Sequence, residues 1–226
     1  MKSKLKKKIK QNFLEISKAM EKDFDSESKK VINFKAIDKG FIDKIVKAFD
    51  VTNLLGVIGE AVRKSYQNAF EKVERQNNMN LLGNKKALDF LENYTFKNIK
   101  DLDAEAKNDL RAEIERGIMN NESVSKIKER VMSVLDVSET RANTIARTET
   151  YRAINTGELL AWKEAGRNVK KKVVAVIDSK TSDVCKHLNG KEKNLGEKFK
   201  YKGEEFEAPP FHVNCRSRLE FVEAKE

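Results

Sequence analysis

Apolar residues return at three- and four-residue steps through most of the first 165 positions, the spacing that lines one face of an α-helix. Leu5, Ile9, Phe13, Ile16 and Met20 form a narrow stripe on a lysine-rich segment, and Phe41, Ile42, Ile45, Val46 and Phe49 form a second face. A longer one runs through Leu54, Leu55, Ile58, Ala61, Val62, Tyr66, Ala69, Phe70 and Val73. The polar stretch Arg75-Gln-Asn-Asn-Met-Asn80 breaks the period and reads as a linker. Beyond it Leu88, Leu91, Ile99, Leu102, Leu110 and Ile114 resume the helical pattern as far as Gly117. Asn120-Asn-Glu-Ser123 reads as a turn ending in an N-cap, and Val124, Ile127, Val131 and Val134 predict a short amphipathic helix. Ser138 reads as the N-cap of a separate, long helix to about Gly166.

After Gly166 the period changes. Lys172-Val-Val-Ala-Val-Ile177, Phe199–Phe206 and Arg218-Leu-Glu-Phe-Val222 are β-branched or alternating runs, and they predict three short strands in a small sheet. The expected fold class is α+β: a mostly helical N-terminal two-thirds, with a long helix leading into a small C-terminal β-sheet that carries a Cys/His cluster. The expected division is a helical arm and docking region over 1–78 and a second domain over 79–226, with helices in 79–166 and the sheet in 170–224.

Charge adds a constraint on partners. The formal net charge is +10 with a pI near 9.4, a balance that favours polyanions, through counterion release on nucleic acid or an acidic protein face. Lys4, Lys6, Lys7, Lys8 and Lys10 crowd the first stripe and are the candidate nucleic-acid contacts. The same opening segment has no apolar block after its lysines, so no secretory signal is expected. The helix is expected to be a docking arm or solvated tail rather than a membrane anchor, since its apolar face is narrow and lacks tryptophan. No run approaches a membrane span.

The candidate chemistry lies near the C-terminus. Cys185, His187, His212 and Cys215 are the only cysteines and histidines in 226 residues. Their number and type suit tetrahedral zinc. Two other readings stay open: core thiols of a small sheet, or a Cys185–Cys215 disulfide, which a non-secreted chain disfavours. A Cys/His nucleophile pair has the right residue types but no supporting signature. On the long helix, Glu149 falls on the apolar stripe with Ala142, Ile145, Ala146, Ala153 and Leu160, and a buried carboxylate requires a partner. Arg147 and Arg152 are assigned to other directions around the helix, so a partner from the sheet, such as Arg216, is expected.

Three blocks carry a resemblance. They are Arg141-Ala-Asn-Thr-Ile-Ala-Arg147-Thr148-Glu149 with Asn155; Asp178, Thr181, Cys185, Leu188 and Gly190-Lys191; and Pro209-Pro-Phe-His-Val-Asn-Cys-Arg216. In order and spacing this resembles the phage Mu F-like head morphogenesis family, minor capsid proteins of tailed phages. The resemblance implies a structural protein of the virion interior, present in the host cytoplasm during assembly. Its implied partners are the portal protein, scaffold or major capsid protein, and double-stranded DNA bound nonspecifically; delivery with the DNA is a further implication. Many relatives carry Cys where this chain has Leu188 and Ser217. The competing expectation is a metal-dependent nuclease or toxin-like enzyme using Glu149, His212 and Arg216, and a zinc-stabilised DNA-binding regulator is a third. The sequence ends four residues after the last expected strand, so an appended effector domain is not expected.

Overall fold

The computed structural model describes residues 2–28, 39–81, 83, 85–120 and 122–224. Helices α1 (Lys2–Ser28), α2 (Lys39–Ala48), α3 (Thr52–Asn77), α4 (Lys85–Met119) and α5 (Val124–Ala165) are followed by strand β1 (Val169–Val174) and the short helix α6 (Asp183–Leu188). Strands β2 (Glu192–Asn194), β3 (Phe199–Tyr201), β4 (Glu204–Phe206) and β5 (Arg218–Glu223) complete the chain. The architecture is α+β, with a long helix leading into a small antiparallel C-terminal sheet, as the periodicity predicts.

The chain forms two compact units that interleave in sequence: Met1–Ile58 with Thr95–Asn143, and Gly59–Tyr94 with Thr144–Glu226. The 78/79 position falls between α3 and α4, where Asn78 has a left-handed φ of 50°. Asn121, in the expected turn before α5, lies outside the described residues.

In the first unit, the stripe of α1 is core. Ile9, Phe13, Ile16, Met20 and Phe24 are buried. Phe13 meets Phe49 at 6.3 Å between centroids, and Phe24 meets Phe41 edge-on at 5.2 Å. Ser17 also donates to Met132 Sδ on α5. The expectation of a solvated tail is therefore corrected. A stripe five residues long buries enough apolar surface to hold the helix against α2 and α5. A second correction concerns α5. Ser123 accepts the Lys126 amide and caps the helix, which then runs unbroken through Ser138. The Ser138 hydroxyl bonds back to Val134 O at 2.8 Å, a mid-helix use of serine that mimics nothing at a terminus.

The second unit holds the sheet. Strand order is β2-β1-β5, all antiparallel, with Lys171 opposite Lys193 on one side and Phe221 on the other. The 199–206 stretch, expected as one strand, is the β3–β4 hairpin. Its two-residue loop has φ of 48° at Lys202 and 85° at Gly203, the doubly left-handed turn that hairpins favour. The first expected strand begins three residues earlier than its β-branched run suggests, at Val169, and the polar strand β2 was absent from the expectation. Leu159 of α5 packs with Val173, Leu188, Phe199, Phe211, Leu219 and both cysteines in one buried cluster.

Candidate functional site

The three sequence blocks converge inside the second unit. Asn155, fully buried on α5, anchors itself by donating to Tyr151 O and accepts the Leu219 amide of β5 at 2.9 Å. About two turns earlier, Thr148 bonds to Thr144 O and accepts the Asn214 amide at 3.1 Å. Asn214 has a φ of 62°, a conformation that asparagine tolerates better than most residues. Two polar side chains of α5 thus hold the end of the loop that precedes β5 and the start of β5 itself.

The loop after β1 is fixed from its other side. Asp178 receives both guanidinium nitrogens of Arg216, at 2.6 and 2.5 Å. The Asp178 amide donates to Thr181 Oγ1, and the Thr181 hydroxyl reaches Val176 O at 2.7 Å. The Arg216 bonds, with the Lys180 amide and Thr181, hold the Asp178 carboxyl far below its ordinary range. Arg216, expected opposite Glu149, is therefore occupied. Glu149 is buried and bonds instead to Arg152 Nε at 3.0 Å. Residues three apart on a helix are neighbours about 60° apart, so Arg152 reaches it. Burial still raises the Glu149 pKa, with Arg152 opposing the rise. Arg147 is exposed, and Arg141 pairs with Glu105 in the first unit.

Next to this frame lie the thiols. Cys185 projects from α6 and Cys215 from the loop; both are buried and unoxidised, with sulfurs 3.6 Å apart. His212 Nε2 is 3.1 Å from Cys185 Sγ and 2.8 Å from Ser182 Oγ. Its other nitrogen, Nδ1, lies 2.7 Å from Val213 O and serves as donor to it. That bond fixes the tautomer and leaves the Nε2 lone pair directed at the sulfurs. The bond between the two sulfurs holds the Cys215 thiol below its ordinary range, against the effect of burial. The same bond and burial push Cys185 up.

Cys185, His212 and Cys215 form the group of donor atoms able to hold a metal ion, all within 4.8 Å of one another. Tetrahedral zinc sets two sulfurs about 3.8 Å apart and a sulfur and nitrogen about 3.5 Å apart. The observed 3.6 and 3.1 Å need adjustments of only a few tenths of an ångström. Three protein ligands leave a fourth position; Ser182 Oγ stands by His212, and Ser217 donates to Cys185 at 3.2 Å.

His187 is not brought to this group. It is exposed, 2.6 Å from Lys191 Nζ, with its ring 5.1 Å from Tyr201. Cys185 and His187 share the one-turn helix α6, not a loop, and two residues apart on a helix means about 200° of rotation. Only one of the two can face inward. Leu188 is buried in the core cluster, and Ser217 fills its site as a hydroxyl donor. Ser182, Ser217 and Thr148's contact with Asn214 were missed, because single hydroxyls carry no spacing signal.

A long helix clasped to a small antiparallel sheet through the motif residues defines an α+β domain. The sequence model described as Phage Mu protein F like protein matches residues 108–220, and the chain belongs to that family. It is 30% identical over 124 residues to the Minor head protein GP7 of Bacillus phage SPP1, covering 51% of this chain and 40% of that protein. It is also 31% identical over 109 residues to the NAD(+)--arginine ADP-ribosyltransferase EFV of Enterococcus faecalis, covering 44% of this chain and 22% of that protein. The matched region is thus well under half the length of either relative. No solved structure matches the chain significantly.

Proposed function

We propose that this chain is a structural minor head protein acting in phage head morphogenesis, inside the virion, with a metal clasp in its C-terminal unit. The observation that supports it best is the use of the motif side chains: Thr148, Asn155, Asp178 and Arg216 are each engaged in bonds that tie α5, the β1–α6 loop and the loop before β5 together. Such residues hold a shape. Zinc at Cys185, His212 and Cys215 would join α6 to the loop before β5 and supply folding free energy, as structural zinc does. The partners in this reading are portal, scaffold or major capsid protein, and packaged DNA held by phosphate contacts without base readout.

Metal analysis of the purified protein tests the clasp. Stoichiometric zinc that is lost in Cys215→Ser, together with thermal stability, is the expected result; a metal-free wild type that is equally stable after chelation removes the clasp. Co-sedimentation with purified portal oligomers tests the partner.

The match to an ADP-ribosyltransferase keeps an enzyme reading in view. A nuclease built on Glu149, His212 and Arg216 would need those groups free, whereas Glu149 is bonded to Arg152 and Arg216 to Asp178. A nuclease assay with added divalent metal decides: cleavage by wild type that is lost in His212→Ala overturns the structural reading.

A further inference from the structure

Strand β5 is at the end of the sheet order, and among the described residues no strand pairs with its edge away from β1. Backbone direction on this edge follows from bonds already described. Val173 uses its N–H and C=O toward Lys191 and Gly190, so its partner across the ladder, Leu219, faces away from β1. Alternation then turns the N–H and C=O of Phe221 and Glu223 outward as well. At the other end, Ala224 donates to Asn168 O, which agrees with this phase. Asn155 takes the Leu219 amide. Among the described residues, no backbone bond satisfies the outward groups of Phe221 and Glu223.

Beside that edge lies a groove of about 870 Å³, walled by the C-terminal turns of α3 and α5. It is lined mostly by polar side chains around one aromatic pair, Trp162 stacked on Phe221 with centroids 5.6 Å apart. Its charges are unequal in state. Lys72 is paired with Glu158 and Arg218 with Glu220, whereas Arg167 is exposed and has no ion-pair partner among the described residues. A sheet edge of this kind, next to a walled groove, takes an added strand through main-chain bonds, with side-chain pockets supplying selectivity.

We infer that β5 accepts an extended segment of a partner protein, apolar at alternate positions so that it lies on Trp162 and Phe221, and carrying a carboxylate that reaches Arg167. Pairing would add hydrogen bonds at Phe221 and Glu223 without disturbing the β1–β5 ladder.

Trp162 is the chain's single tryptophan and reports on the groove directly. The probe is an eight-residue peptide of alternating valine and threonine with one central glutamate, added to the full chain. A saturable change in Trp162 fluorescence is expected, absent with a peptide N-methylated at alternate residues. Glu223→Pro removes only an outward amide and should weaken binding about tenfold, with circular dichroism confirming the fold. Arg167→Glu should weaken the glutamate peptide and leave an uncharged one unaffected. Equal binding of the N-methylated peptide, or full binding by folded Glu223→Pro, overturns the inference. So does concentration-dependent dimerisation abolished by Glu223→Pro, which would make a second copy the occupant.

Discussion

Asn155 spends its whole side chain on backbone: one end grips its own helix, the other the second residue of β5, Leu219. Replacing it with leucine keeps the bulk and strands the Leu219 amide in a buried place. Leaving a buried donor unmade costs about 1–3 kcal/mol, so Asn155→Leu should lower the urea midpoint accordingly; an unchanged midpoint would mean the bond contributes nothing. Lys171 poses the opposite case. Its ammonium is fully buried in β1, donates to Glu207 O at 2.8 Å and lies 5.4 Å from the Phe199 ring centre. Burial, with Lys163 nearby, lowers its pKa to about 8. The unfolded lysine titrates near about 10.4, so between those values the unfolded chain binds more protons than the folded one. Stability from this group therefore rises as pH climbs from about 8 to about 10.4 and is lost as pH falls back through the folded value. Lys171→Met should flatten that rise relative to wild type in denaturant midpoints taken across the interval.

Helices meet most closely where a side chain is missing. A Cβ on Gly157 of α5 would stand 2.9 Å from Tyr66 O and 3.1 Å from Ala69 Cβ of α3. Alanine is favoured over glycine by about 1 kcal/mol in a helix interior, yet here the clash with backbone should win. Gly157→Ala is expected to destabilise by about 1–3 kcal/mol. Gly59→Ala on α3, with nothing within 4 Å, should stabilise by about 0.5–1 kcal/mol; thermal melts of the pair separate close packing from propensity. Apolar periodicity made the helices legible, because burying one face is what keeps Ile9, Phe13 and Ile58 where they are. Local rules misled where chemistry is shared by two contexts. Ser138 is as good a cap as a back-bonding helical residue, and Arg152 reached Glu149 because a long side chain spans a turn. Of the metal candidates, the sequence held three that meet. His187 was excluded by helical rotation, which became readable only once α6 was known to be a helix. Lys202-Gly203 marks its hairpin clearly, but the alternation around it also fits a single strand.

At the scale of the whole molecule, the positive charge asks for a polyanion, and α1 says where it could be met. Lys4, Lys6, Lys7, Lys8 and Lys10 are all exposed, while Ile9 and Phe13 between and after them are buried. One face of the helix therefore holds the core while these five lysines lie off it, so charge can be removed here without removing packing. Changing all five lysines to glutamine takes the net charge from +10 to +5 and leaves every buried position of α1 intact. If this face binds duplex DNA, each phosphate contact contributes about 0.9 to the slope of log K against log salt. The wild type should then bind nonspecifically with steep salt dependence, and the five-fold variant should lose up to about 4.5 from that slope. Its melting temperature should stay close to wild type, which separates lost contacts from lost structure. A slope unchanged in the variant would move the DNA contacts off α1, and no binding even at low salt would leave the lysine face to an acidic protein partner.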